Sequence, residues 1–284
     1  MSYHWIIQML ACTLLAIPMS AAKAPPATAV SELHVLTLNL RSRLDSPDLR
    51  EPAIAAYLSR TQPDVVLLQE VGNVKGPELT QAHRLARTSD YEIAACFNKR
   101  TNRGLAVLSK YPVVDVVVQD LPRRKRPALG VVINVNGRLV SFVNVHLTPQ
   151  LSAVKQRQLE LDATLKLMQS LPGPSFLGGD FNFGDSAEEN AHLADLVDTF
   201  RIAQPEAPGH TWDLDNPLAR KNSFPKEPSR RLDRILISDS RTRVTAAEVV
   251  LDEQVVAGIF PSDHYGVYTR VELFPVPLEV PQSP

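Results

Sequence analysis

The chain has 284 residues, 44% of them hydrophobic, which is enough to bury a large core within one α/β-type domain. Lys plus Arg number 30 and Asp plus Glu 31, so no broad field gathers polyanions, and a dedicated DNA-coating protein is excluded. A site that meets one phosphate at a time remains open, because the charge that matters there is local and can come from a bound cation.

Residues 6–19 are mostly apolar, and Ala22-Lys23-Ala24 offers small residues to a peptidase, so residues 1–24 are expected to be a signal peptide cleaved after Ala24. The usual Lys or Arg before the apolar stretch is missing, which keeps a buried N-terminal helix as the competing reading. The stretch is shorter than the ~20 residues of a membrane span. An exported protein, periplasmic or secreted, is therefore expected. Cys12 belongs to the leader and leaves Cys96 alone, so the mature chain has no intrachain disulfide and Cys96 reads as a buried, inert thiol.

Residues 25–31 form a linker, and 32–274 are expected to form the catalytic domain. Residues 33–39 read as a strand. Residues 47–60 read as a helix with Ser46 as N-cap, Pro47 at its first position, and Leu49, Ile54, Tyr57 and Leu58 on one face. A strand at 64–70 and a short helix at 78–87 follow, then strands at 91–97, 104–109, 113–119 and 129–135. Asn136-Gly137 is a hairpin signal that leads into a strand at 139–146. Residues 151–171 read as the longest helix, with Leu151, Val154, Leu159, Leu165 and Met168 apolar and Lys155 to Gln158 on a solvated face. A buried strand at 175–179 and a helix at 188–200 precede a polar, proline-rich excursion over 201–229. Strands return at 232–237, 244–251 and 265–273, and 275–284 is a proline-rich tail.

Polar side chains stand where these apolar strands stop: Asn39, Glu70, His146, Asp180 with Asn182, Asp233, and Asp263 with His264. Strand termini are rigid platforms, and polar groups just beyond several strands of one sheet can converge on a point. Each alone is more simply a cap or turn residue.

Taken in order, Leu38-Asn39, Leu68-Gln69-Glu70, Asn144-Val145-His146-Leu147, Gly178-Gly179-Asp180-Phe181-Asn182, Arg231-Leu232-Asp233-Arg234-Ile235 and Ser262-Asp263-His264 resemble the motif set of the endonuclease/exonuclease/phosphatase superfamily. The resemblance implies an α+β fold, a four-layer sandwich of two packed mixed β-sheets flanked by helices. It implies a metal-dependent hydrolase of phosphate esters, with Mg²⁺ or Mn²⁺ held by Glu70, Asn39 and Asp263 through oxygen donors that suit a hard cation. His264 matches the base that activates water, and Asp233 its carboxylate partner. Asp180 and Asn182 would position the nucleophile and the phosphate, and His146 would bind a phosphate oxygen or protonate the leaving group.

One departure stands out: where abasic-site endonucleases carry an aspartate, this chain has Arg41, either a phosphate clamp or a solvated arginine. Trp212 is the candidate for an exposed stacking partner of the substrate, or else a pin for its own loop. Arg123-Arg124-Lys125-Arg126 meets a nucleic-acid backbone or a lipid surface, or is a solvated loop. The expected substrate is a phosphodiester, nucleic acid or phospholipid headgroup. The alternatives are a phosphomonoesterase on inositol or sugar phosphates and a catalytically silent binding module. The mature chain is expected to be a monomer with no protein partner and no transmembrane span.

Overall fold

The structure is a computed structural model that describes residues 30–72, 80–98, 103–122 and 126–275; the leader, most of the linker and tail, and Arg123 to Lys125 lie outside them. In chain order the strands are β1 (Ser31–Asn39), β2 (Val65–Gly72), β3 (Glu92–Asn98), β4 (Arg103–Ser109), β5 (Val113–Asp120), β6 (Pro127–Val135), β7 (Arg138–His146), β8 (Ser175–Asp180), β9 (Val197–Asp198), β10 (Asp233–Ile237), β11 (Thr242–Val250) and β12 (Gly266–Leu273). The helices are α1 (Pro47–Thr61), α2 (Gln81–Ala86), α3 (Val154–Ser170), α4 (Thr199–Ala203) and α5 (Pro217–Asn222).

Two six-stranded sheets result, ordered β11-β12-β1-β2-β4-β3 and β5-β6-β7-β8-β10-β9. Each holds one parallel pair, β1 with β2 and β7 with β8, and each pair is joined by a long helix, α1 or α3, because parallel neighbours need a crossover. All other described pairings are antiparallel. The inward residues of both sheets form the central core, where the Phe142 and Phe176 rings stack 4.9 Å apart. Leu36, Leu38, Val66 and Leu68 pack outward under α1 and α2, and Val143, Val145 and Leu177 under α3. The expected two-sheet, four-layer sandwich is the observed architecture. Among the described residues no helix is long and apolar enough to cross a membrane.

Several local expectations need correction. Ser46 sits in left-handed backbone and its side chain caps nothing. On α1, Leu49, expected on the buried face, is exposed, and its neighbour Arg50 is fully buried, donating to the carbonyls of Leu40, Ser42, Leu44, Asp45 and Pro261. The long helix starts at Val154, leaving Leu151 and Leu159 exposed while Arg157 and Glu160 are buried. Arg157 pairs with Glu189 at 2.7 Å and Glu160 accepts from Thr148, so α3 uses polar groups to hold the loop after His146. Residues 188–200 are not one helix but a 3-10 turn (Glu188–Leu193), β9 and the start of α4. The excursion at 201–229 carries α5, which begins with Pro217 and is capped by the Asn216 side chain.

Candidate active site

Topology explains the convergence. Asn39 and Gln69 are register partners in the parallel pair, as are His146 and Asp180, so β1, β2, β7 and β8 all end on one side. β10 runs antiparallel to β8 and opens there, with Asp233 opposite Asp180. β12 runs antiparallel to β1, which brings the loop before Gly266, with Asp263 and His264, over Asn39. The two sheets are locked at this end by a buried amide pair: Gln69 donates to Asn144 Oδ1 at 2.8 Å, and Asn144 donates to the Leu68 and Ala106 carbonyls. A cleft of about 330 Å³ opens there, lined among others by Asn39, Glu70, His146, Asp180, Asn182 and His264. A larger depression of about 600 Å³ between α1 and α2 shares no residue with it and carries none of the motif residues.

Backbone strain marks the same place. Glu70 has φ of 49° at an irregularity in the β2–β4 register, and Asn182 has φ of 59°, conformations that non-glycine residues hold only when their surroundings enforce them. Gly179 has φ of 136°, and a Cβ there would sit 2.0 Å from the Val145 carbonyl oxygen, so only glycine lets β8 deliver Asp180 beside His146.

At the centre, His264 Nδ1 is 2.7 Å from Asp233 Oδ2 and His264 Nε2 is 3.8 Å from Asp180 Oδ2. Asp180 also accepts from Asn39 Nδ2 at 3.1 Å and from the Asn182 N–H at 3.0 Å, and lies 3.4 Å from His146 Nε2. Burial opposes an imidazolium at His264, but Asp233, Asp180 and Asp263 overcome it and raise its pKa to about 10. Burial, reinforced by Asp233, pushes the Asp180 carboxyl up to about 7 against the pull of His264. Burial, with the charges of Arg126, His264 and Arg103, holds His146 well below the usual imidazole range, so it is neutral. Asp180 and His264 thus hold each other's charge in balance, and Asp233 joins them as the hydrogen-bond partner of the imidazole.

The Thr211-Trp212 segment supports this unit. The Thr211 hydroxyl accepts from the Leu232 and Asp233 N–H groups, and the Thr211 carbonyl accepts from Tyr265 N–H. Trp212 is buried, 7% exposed, and its ring lies 4.9 Å from that of His264. It is therefore a wall against the imidazole, not an exposed stacking platform, because the short bridge to Arg230 folds it inward. Arg41 is neither solvated nor free to clamp: it is 4% exposed and its guanidinium is taken by Asp45 and Asp263. Asp263 accordingly faces Arg41 and Ser262.

For a divalent cation, Asp180, Asp233 and His264 offer ligand atoms within 4.8 Å of one another. The 2.7 Å bond between His264 and Asp233 makes that pair a proton-holding dyad, however, so the oxygen donors better fitted to a hard cation are Glu70, Asn39 and Asp180. Cys96, the sole cysteine of the described residues, is half-buried on β3 rather than fully buried, and burial pushes its thiol up to about 11. Two basic residues stand at the cleft: Arg103, which escaped the sequence reading and lies 2.7 Å from Glu70 Oε2, and Arg126, the last of the four-cation run, which donates to the His146 carbonyl. The signal was available for Arg103, a charge opening an otherwise apolar strand beside the strand that ends at Glu70.

Residues 36–264 match the Endonuclease/Exonuclease/phosphatase family. Among curated proteins, the chain is 29% identical over 260 residues to tyrosyl-DNA phosphodiesterase 2 of Gallus gallus, covering 86% of this chain and 68% of that one. The Homo sapiens protein of the same name is 26% identical over 259 residues, covering 86% and 69%. Among solved structures, D. rerio TDP2 complexed with single strand DNA product superposes with a TM-score of 0.71 at 20% identity, covering 85% of this chain and 99% of that one. An endonuclease/exonuclease/phosphatase family protein from Leptotrichia buccalis gives 0.69 at 19%, covering 85% and 100%. With the ordered motifs gathered in one cleft and the match spanning most of the sequence, the chain belongs to the Endonuclease/Exonuclease/phosphatase family.

Proposed function

We propose that the chain is a divalent-metal-dependent phosphodiesterase acting on nucleic acid, in which water attacks phosphorus in line with the leaving oxygen. The observation that carries this is the Asp233–His264–Asp180 unit, with its imidazole Nε2 turned into a cleft that also holds Glu70 and His146. Nucleic acid is preferred over a phospholipid headgroup because the curated relatives at 26 and 29% identity are named for a DNA phosphodiester.

Glu70, Asn39 and Asp180 would hold Mg²⁺ or Mn²⁺, which when bound neutralises the phosphate and stabilises the charge that develops on it. Asp233 fixes the His264 ring through Nδ1, so Nε2 and the Asp180 carboxyl face the attacking water together. The proton of that water passes to the Asp180 carboxylate, because the carboxylates around His264 keep its imidazolium protonated at neutral pH. The imidazolium then contributes positive charge beside the phosphorane. Asn182, anchored to the Leu147 carbonyl at 3.0 Å, orients a phosphate oxygen, and neutral His146 donates a hydrogen bond to another or to the leaving oxygen. Trp212 keeps bulk water off the His264 ring. Asp263 neutralises Arg41 and so serves the site through the loop it pins.

Export is part of the proposal and is supported by the leader-like residues 1–24. The test is turnover by the purified mature chain of a tyrosyl-linked single-stranded oligonucleotide, duplex DNA, sphingomyelin and an inositol phosphate, each with Mg²⁺, Mn²⁺ or EDTA. Metal-dependent cleavage of a DNA substrate is expected. Cleavage confined to sphingomyelin or to the inositol phosphate would overturn the nucleic-acid assignment. For export, the protein recovered outside the cytoplasm should begin at Pro25; an intact Met1 terminus there would contradict it.

A further inference from the structure

The carboxylates at the cleft differ in what holds them. Asp180 is held by Asn39 and Asn182, Asp233 by His264, Asp263 by the buried Arg41, and Glu227 by Arg230. Glu70 is the exception among them: its partner Arg103 has a side chain 39% exposed, with Nη1 2.7 Å from Oε2, while Glu70 itself is 19% exposed. Ion pairs this open to solvent add little to stability, so the contact is not a strut of the fold. The Arg157–Glu189 pair, 3% and 1% exposed, is what a strut looks like in this molecule. The Glu70 backbone is nevertheless fixed in its left-handed conformation by the β2–β4 irregularity, so the carboxylate stays aimed into the cleft while the long arginine side chain remains free to turn. Arg103 also lines the cleft beside His146, where a phosphate would lie.

We propose that Arg103 is the resident counter-ion of Glu70: it occupies the carboxylate when no divalent cation is bound and, once displaced, turns its guanidinium toward the phosphate ester. This rests on the reading that Glu70 is a metal ligand. Two consequences follow from charge alone. Arg103 weakens metal binding to the substrate-free protein, because the cation must displace it and approach a second positive charge. Metal and phosphate ester then bind cooperatively, since the ester offers the displaced guanidinium a bidentate partner.

The test is Mn²⁺ titration of the purified full chain without substrate, by calorimetry and by the free-Mn²⁺ paramagnetic resonance signal. Wild type is compared with Arg103→Gln, Arg103→Lys and Glu70→Gln, each checked for fold by circular dichroism. Arg103→Gln should bind Mn²⁺ about threefold tighter or more, as expected for removal of a partly exposed opposing charge, and Arg103→Lys should stay near wild type. Arg103→Gln should also raise KM for bis-(p-nitrophenyl) phosphate at saturating Mn²⁺. Unchanged or weaker Mn²⁺ binding by Arg103→Gln, with binding lost in Glu70→Gln, would overturn the counter-ion role and leave Glu70 as a ligand. Wild-type binding by Glu70→Gln would instead overturn the ligand assignment on which the proposal stands.

Discussion

Replacing Asp233 with Asn tests the dyad, because the structure leaves the new amide no good orientation. Asp233 Oδ2 accepts from His264 Nδ1 at 2.7 Å, while Oδ1 is buried and has no hydrogen-bond partner among the described residues. With the amide oxygen toward His264, the NH₂ group occupies that partnerless position, at a folding cost of about 1–3 kcal/mol. Turned the other way, the NH₂ group donates to Nδ1, which must give up its own proton and leave the ring without its positive charge. Either way the charge that most raises the His264 imidazolium is gone, and burial pulls its pKa down. Hydrolysis of bis-(p-nitrophenyl) phosphate with Mn²⁺ should fall by roughly 10²–10⁴ in kcat/KM. Tm should drop by about 2–4 °C per kcal/mol of the cost. A rate within fivefold of wild type would refute the reasoning, whatever the stability.

Four further outcomes follow. Because the Asp180 carboxyl of the metal-free site is pushed up to about 7, a proton should compete there with the cation and Mn²⁺ should bind more weakly as pH drops below about 7; Mn²⁺ affinity that stays flat in calorimetry from pH 5 to 8 would contradict this. His264 has a folded pKa raised from 6.5 to about 10, so the stability it contributes is complete below pH 6.5 and is lost as pH rises toward 10. In EDTA, Tm should therefore decline between pH 7 and 9.5, and His264→Ala should flatten the slope; an unchanged slope would count against it. Gly179→Ala combines a clash 2.0 Å from a backbone oxygen with φ of 136° and should destabilise by about 3 kcal/mol or more, read by denaturant unfolding, whereas Trp212→Ala should cost about 3–5 kcal/mol as a core truncation. Near-native stability in the Trp212 variant would restore its reading as a surface stacking residue.

The fold was legible where hydrophobic pattern and punctuation agree. β7 could be read from Asn136-Gly137 followed by an apolar run ending at His146, and the site followed because each such run stops at a polar residue. What was not legible depends on partners distant in sequence. Arg50 is buried because carbonyls from its own loop and from Pro261, 211 residues away, surround it, and no local periodicity reports that. Arg157 was given to solvent for the same reason, although the loop at 147–151 and Glu189 enclose it. Arg41 was read by its type, as clamp or solvated cation, when its surroundings of Asp45 and Asp263 decide its role. The inward turn of Trp212 rests on a two-residue bridge to Arg230 that a polar, proline-rich stretch does not advertise.

The most direct test of the account is the Mg²⁺-dependent hydrolysis of bis-(p-nitrophenyl) phosphate by wild type, His264→Ala and Glu70→Ala, all folded by circular dichroism. Wild type should turn over only with metal and be silenced by EDTA, and His264→Ala should lose at least about 10² of its rate at saturating Mg²⁺. Glu70→Ala should need far more metal to reach its maximum. Turnover that survives EDTA, or a His264→Ala variant with undiminished rate, would contradict the claim that this cleft performs metal-assisted phosphodiester hydrolysis.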